Sequence, residues 1–173
     1  MKEIRWHARA GQGAKTASHL LAVALLRSGR SVQAFPEYGP ERRGAPIRAY
    51  NRFDAKPIRR HDTVTQPDAV VVLDASLLKE GNVAQGLKPG GVLLVSSERP
   101  LEGALCIPAA SLAPGSVNLV MLGALAAVLD EPPLETLCEA AVELLAAKGD
   151  PSSLQAAVAA GYEAVRRDVT CAA

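Results

Sequence analysis

Apolar and polar positions divide the chain into short apolar runs and longer stretches of helical spacing. Residues 3–8 form a short apolar-leaning run that ends in the turn Gly11-Gln12-Gly13. From about Ala14 to Ser28, Leu20, Leu21, Ala24 and Leu25 recur at the spacing of one helix face. Gly29 closes that stretch as a C-terminal glycine does. Ser31 to Phe35 reads as a second strand. Strand, glycine turn, helix and strand in that order predict the opening βαβ unit of a doubly wound sheet.

Pro36 to Pro46 holds three prolines and two glycines in eleven residues, which speaks against a helix or a central strand. Ile47 to Phe53 alternates loosely, Asp54-Ala55-Lys56 offers a turn, and Pro57-Ile58-Arg59 returns, predicting a hairpin-like pair. Ala69 to Asp74 is apolar and largely β-branched, the pattern of a strand buried on both faces. Gly91 to Val95 repeats it, and Ala104 to Ile107 is a weaker third. Asn118–Leu129 and Leu134–Ala147 read as helices separated by Pro132-Pro133, the second with Glu135, Glu139 and Glu143 on one polar line. Ser152 to Arg167 reads as a last, Ala-rich helix with Pro151 at its start. The expected architecture is a single α/β domain over residues 1–173, Rossmann-like and doubly wound, with a mainly parallel sheet and a β-hairpin-like insertion near residues 47–60.

Composition narrows the function. The chain has 173 residues, 49% of them hydrophobic, which suits one packed core rather than disorder. A formal net charge of +1 argues against a dedicated nucleic-acid binder. The distribution is uneven: residues 1–62 carry thirteen Lys and Arg against five Asp and Glu, and residues 63–173 carry six against thirteen. Such asymmetry points to an interaction surface or to two mutually neutralising faces of one domain. No apolar run approaches the roughly 18 residues of a membrane span, and the start has no signal-peptide core, so the expected compartment is the cytoplasm. Cys106, Cys138 and Cys171 are widely spaced and form no C-x-x-C pair, so no zinc or iron–sulfur ligand set can be read.

Two segments carry candidate chemistry. A dinucleotide fingerprint would need Gly at 8, 10 and 13, and the chain has Ala8, Ala10 and Gly13. A phosphate loop before Lys15-Thr16 would need Gly at positions 9 and 14, which hold Arg9 and Ala14. What remains is a helix N-terminus with Arg9, Gly11, Gln12, Gly13 and Lys15 around it: an anion site, or a plain turn with a basic rim. The second segment is the loop Glu37-Tyr38-Gly39-Pro40-Glu41-Arg42-Arg43, stiffened by proline. Tyr and paired Arg on such a loop suit an interface or an anionic ligand; internal Glu–Arg pairing is the plainer alternative. No nucleophile–base arrangement is present, and His7, His19 and His61 lack metal-ligand spacing.

At Gly11-Gln12-Gly13 and at Phe35-Pro36-Glu37-Tyr38-Gly39-Pro40-Glu41-Arg42-Arg43-Gly44-Ala45-Pro46 the chain resembles the gamma subunit of pyruvate:ferredoxin oxidoreductase and related 2-oxoacid:acceptor oxidoreductases. The resemblance continues through Arg52, Pro67-Asp68, Leu73-Asp74 and Asn118 with Met121-Leu122-Gly123-Ala124, and ends near Gly161-Tyr162-Glu163. Where the family commonly shows Gly-Arg-Gly-Gly-Gln-Gly, this chain has Ala8-Arg9-Ala10-Gly11-Gln12-Gly13. The resemblance implies a multisubunit enzyme that oxidatively decarboxylates a 2-oxoacid, with pyruvate the favoured substrate, to acyl-CoA, CO2 and reduced ferredoxin. It implies thiamine diphosphate with Mg, [4Fe–4S] clusters and coenzyme A for the complex. The expected partners are catalytic alpha and beta subunits, a ferredoxin-like delta subunit or domain, and an external ferredoxin. It implies a chain inactive alone, with no catalytic residue or metal of its own. Arg9, Gly11, Gln12, Gly13 and Lys15 would meet coenzyme A phosphates, and the 37–43 loop with Asn118 would face a subunit interface or active site. Two other readings stay open: a stand-alone Rossmann-like nucleotide binder and a non-catalytic scaffold.

Overall fold

A computed structural model describes residues 1–37, 44–147 and 149–171, the last four of these by backbone alone. The chain runs β1 (Lys2–Arg9), α1 (Ala14–Arg27), β2 (Ser31–Glu37), β3 (Pro46–Asp54), β4 (Ala69–Val72), a 3-10 turn (Ala75–Lys79), β5 (Val92–Ser96) and β6 (Leu105–Ile107). Four helices follow: α2 (Ala109–Leu112), α3 (Val117–Leu129), α4 (Leu134–Leu145) and α5 (Pro151–Cys171). The strands form one sheet in the order β2-β3-β1-β4-β5-β6. β3 runs antiparallel to both neighbours, and β1, β4, β5 and β6 pair in parallel. The α/β class and mainly parallel sheet are those the apolar pattern predicts.

Several details differ from the sequence reading. The hairpin is β2–β3, joined through residues 38–45, and not a pair formed by 47–53 with 57–59. β3 is inserted between β2 and β1, so the strands of the opening βαβ unit do not pair. Pro36 and Pro46 both lie in strands. Pro36 is tolerated because β2 is an edge strand, and Pro46 because it is the first residue of β3. The segment Tyr38 to Arg43 lies outside the described residues. The sheet winds to both sides of β1. However, among the described residues the layer over its second face is the 3-10 turn and loops, not α-helices.

The two faces differ in chemistry because strand side chains alternate. On one face Ile4, Trp6, Ala8, Val71 and Leu94 join α1, α3, α4 and α5 in the main core. The polar atoms there are answered: Trp6 Nε1 donates to Asn51 Oδ1 at 2.8 Å, and Asn51 Nδ2 donates to the Ser18 carbonyl at 2.8 Å. On the other face Val70, Val72, Leu77, Val83 and Val95 form a smaller apolar cluster. Beside it lies a buried polar row from β1 and β3: Glu3, Arg5, His7 and Arg52. Arg52 is fully buried. Its Nε donates to Glu3 Oε1 at 2.7 Å, and its two amino groups reach Gln33 Oε1 and the carbonyls of Arg60 and Asp62. Residues 60–62 are thereby strapped across the sheet.

α3 and α5 meet at glycines. A Cβ on Gly123 would lie 1.9 Å from the Val158 carbonyl oxygen, and one on Gly161 would lie 1.8 Å from that of Val120. The two helix backbones touch directly, and neither position has room for a methyl group. Gly123→Ala and Gly161→Ala should each destabilise the chain by about 2–3 kcal/mol through overpacking. Gly81→Ala, where a Cβ meets nothing within 4 Å, should change stability by less than about 0.5 kcal/mol. Urea unfolding midpoints read all three.

Burial, with help from the Arg5 and Arg48 charges, lowers the His7 pKa to about 4 from its ordinary 6.5. Between these values the unfolded chain binds a proton that the folded chain refuses. Stability is therefore full above about pH 6.5 and is lost as pH falls toward 4. Moving from pH 7 to pH 5 should cost up to about 2 kcal/mol through this residue. His7→Asn should flatten that part of a stability–pH profile.

Candidate functional site

β1 sends its crossover to one side of the sheet and β4 to the other, so the order reverses between them. Loops leaving the carboxyl ends of such strands frame a crevice where ligands bind in open α/β sheets. Here these loops contribute Gly11-Gln12-Gly13 after β1 and Leu73 after β4, with Gly115, Val117 and Asn118 opposite. They enclose a cleft of about 340 Å³.

Backbone geometry explains the glycines. Gly11 and Gly13 have φ of 99° and 83°, the left-handed region that L side chains resist. Gly13 is needed twice over, since a Cβ there would lie 2.6 Å from Asn118 Nδ2. Gly13 is the N-cap of α1 and Ser116 that of α3, and neither helix end is capped by a side chain. Ala17 N–H donates to the Gly13 carbonyl, so the N–H groups of the first turn before it have no helical partner. Two uncapped helix N-termini therefore converge on the cleft, and their dipoles favour negative charge there. Lys15 is exposed on the first turn of α1. Asn118, on the first turn of α3, reaches the Gly13 carbonyl at 3.5 Å.

Asp74 holds the glycine turn from behind the cleft, through Gln12. Gln12 Nε2 donates to Asp74 Oδ2 at 2.9 Å, while Gln12 Oε1 accepts the Arg9 N–H at 2.7 Å. The Ser76 N–H and hydroxyl both donate to Asp74 Oδ1, at 3.0 and 2.6 Å. Burial opposes the charge on Asp74, but the hydrogen bonds from Ser76 and Gln12 and the charge of Arg9 outweigh it and hold the carboxyl below its ordinary range. The Arg9 guanidinium lies 3.3 Å from Asp74, donates to Ser76 Oγ at 2.7 Å, pairs with Glu80 and donates to the Gly44 carbonyl at 3.2 Å. Arg9 is thus engaged in joining three loops rather than presented to the cleft.

Of the residues singled out from sequence, Gly11, Gln12, Gly13 and Asn118 line one cleft with Lys15 nearby. Glu37 stands apart, at the end of β2 on the second face, where its carboxylate accepts the Tyr50 hydroxyl and faces Arg48 at 3.5 Å. Tyr38, Gly39, Glu41, Arg42 and Arg43 lie outside the described residues. Sequence reasoning gave no site role to Asp74, Ser76 or Glu80. The one available signal was the polar Asp74 directly after an apolar strand, the place where an α/β sheet puts its functional side chains.

Comparison with known proteins identifies the relatives of the chain. Residues 3–166 match the model of the family described as pyruvate ferredoxin/flavodoxin oxidoreductase. The chain is similar to the pyruvate synthase subunit PorC of Thermotoga maritima, with 42% identity over 183 residues, covering 95% of this chain and 94% of that protein. It is also similar to the pyruvate/ketoisovalerate oxidoreductases common subunit gamma of Thermococcus kodakarensis, with 52% identity over 105 residues, 61% of this chain and 57% of that one. Among solved structures, the crystal structure of pyruvate oxidoreductase subunit PORC from Thermotoga maritima superposes with a TM-score of 0.80 at 38% identity, covering 94% of this chain and 95% of that one. A strand–glycine turn–helix unit at a sheet switch point, a match across 3–166 and end-to-end likeness to PorC converge on one assignment: the chain belongs to the pyruvate ferredoxin/flavodoxin oxidoreductase family.

Proposed function

We propose that the chain is the gamma subunit of a multisubunit 2-oxoacid:ferredoxin oxidoreductase with pyruvate as substrate, and that catalysis takes place on partner subunits. The observation that carries this reading is the near-full-length similarity to PorC, at 42% identity over 95% of the chain. In this reading alpha and beta subunits and a ferredoxin-like delta subunit or domain hold thiamine diphosphate, Mg and [4Fe–4S] clusters. Those groups supply decarboxylation and electron transfer to ferredoxin in the cytoplasm.

The contribution of this chain is electrostatic and positional. The cleft between Gly11–Gly13 and Asn118 receives a phosphate group of coenzyme A. Free N–H groups of two helix ends and the Lys15 ammonium supply the attraction. Gln12 and Arg9 act one step back: through Asp74 they hold the glycine turn open at the angle the phosphate needs. The loop that carries Glu41, Arg42 and Arg43 leaves β2 beside this edge and meets an acidic surface of a partner or a further phosphate.

Purified alone, the chain should reduce no viologen with pyruvate and coenzyme A; turnover without partners would refute the subunit reading. In the reconstituted complex, Gly13→Ala should raise the KM for coenzyme A at least tenfold with little change in that for pyruvate. Arg42→Glu with Arg43→Glu should weaken assembly or raise the same KM, as loss of charge complementarity does. Unchanged KM and unchanged assembly in both variants would remove the phosphate role. A complex that keeps full activity without this chain would favour a scaffold.

A further inference from the structure

The second face of the sheet holds another cavity, of about 340 Å³, lined in part by His7, Glu37, Arg48, Leu77, Asn82 and Val83. It is separate from the glycine-turn cleft, with which it shares no lining residue.

His7 is 6% exposed, and its tautomer follows from its neighbour. Arg5 Nε donates to His7 Nε2 at 3.0 Å. A guanidinium can only donate, so Nε2 is the acceptor and the ring proton sits on Nδ1. Arg5 cannot turn away, because its Nη2 also donates to the carbonyls of Val83 and Gln85, at 2.8 and 2.6 Å. Among the described residues, every fully enclosed side-chain nitrogen and oxygen has a partner. His7 Nδ1 has no partner among the described residues, so it is not fully enclosed, and His7 lines the cavity. The result is a neutral N–H donor, nine-tenths buried and fixed in direction.

Arg48 faces His7 across the β1–β3 ladder. Its ion pair with Glu37 is long, 3.5 Å, with side chains 53% and 46% exposed, and holds it weakly. Glu37 is itself engaged by the Tyr50 hydroxyl. The field at the His7 ring is positive on balance, since Arg5 and Arg48 disfavour its protonation more than Glu37 favours it.

We infer that this cavity binds a singly charged carboxylate, one oxygen on the His7 Nδ1–H, the other on the Arg48 guanidinium, and the carbon body against Leu77 and Val83. A doubly charged phosphate is disfavoured by the carboxylates of Glu37 and Glu80 at the rim. The volume suits a small acid or one acidic side chain and is small for a nucleotide. A free small acid and an Asp or Glu of another subunit share this chemistry, and experiment separates them.

The first arm uses the full chain labelled with 15N-histidine at pH 7.5. Sodium acetate should shift one histidine Nδ1 resonance saturably, the one absent in His7→Asn. Inorganic phosphate at equal ionic strength should act at least tenfold more weakly. Arg48→Gln, an exposed substitution that leaves the fold intact, should weaken the acetate response at least tenfold. No saturable shift with acetate, an equal response to phosphate, or an unaltered response in Arg48→Gln would each overturn the inference. The second arm, which alone rests on the proposed subunit role, is equilibrium dialysis of radiolabelled acetate against the assembled complex. Acetate binding retained there assigns a free acid. Binding seen in the isolated chain and lost on assembly assigns a partner's carboxylate.

Discussion

A buried guanidinium has five N–H donors that water cannot reach, and each left unanswered is costly. Arg52 poses that problem on β3, beside the edge strand β2, and the surrounding chain is arranged to solve it. Glu3 supplies the opposite charge from the next strand, Gln33 closes the β2 side, and the carbonyls of Arg60 and Asp62 come from a segment with no regular structure. Arg5 repeats the solution two residues along β1, drawing in the carbonyls of Val83 and Gln85. Two loops are thus held on the helix-free face by polar bonds, where a doubly wound fold would ordinarily use an apolar helix. This makes the second layer thin, and it leaves the cavity beside His7 between the start of β3 and the segment 77–83.

The other end of β1 shows the same economy. Arg9, Gln12 and Asp74 bond to one another and, through Ser76, Glu80 and Gly44, tie the glycine turn to the β4–β5 connection and to the β2–β3 loop. These side chains are small in number but each touches at least two elements. The glycine turn is therefore not a loose connection. Its conformation is set by left-handed backbone at Gly11 and Gly13 and by the Gln12 amide bonded on both sides.

Much of the fold is legible in the sequence, because apolar periodicity reports which face of an element meets the core. It marked every strand and the four long helices to within a few residues, β2 excepted at its proline. It could not place β3 inside the sheet, since strand order depends on pairing rather than on local pattern. The short 3-10 turn and α2 have too few positions for a period. The basic first third is the instructive case. Read as charge along a sequence, it suggests an interaction surface or a face neutralised by another; in the fold, Arg5 and Arg52 are interior and Arg9 is tied to Asp74 and Glu80, so these three add little to any outer surface. Gly11, Gly13 and Asn118 were visible as motif residues. Asp74, Ser76 and Glu80 were not, because only topology brings them to Arg9.

The insertion of β3 has a further consequence. Since β2 runs parallel to β1, the loop joining β2 to β3 leaves the sheet at the same edge as the glycine turn, and Ala10 N–H donates to the Ala45 carbonyl where the two meet. That loop rides on a hairpin of its own. Lengthening each arm by two residues would carry its tip about 7 Å farther out without moving Gly11, Gln12 or Gly13. The reach of the arginine loop and the shape of the cleft are therefore independent variables in this architecture, so the loop can be refitted to differently shaped neighbours while the same glycine turn is kept.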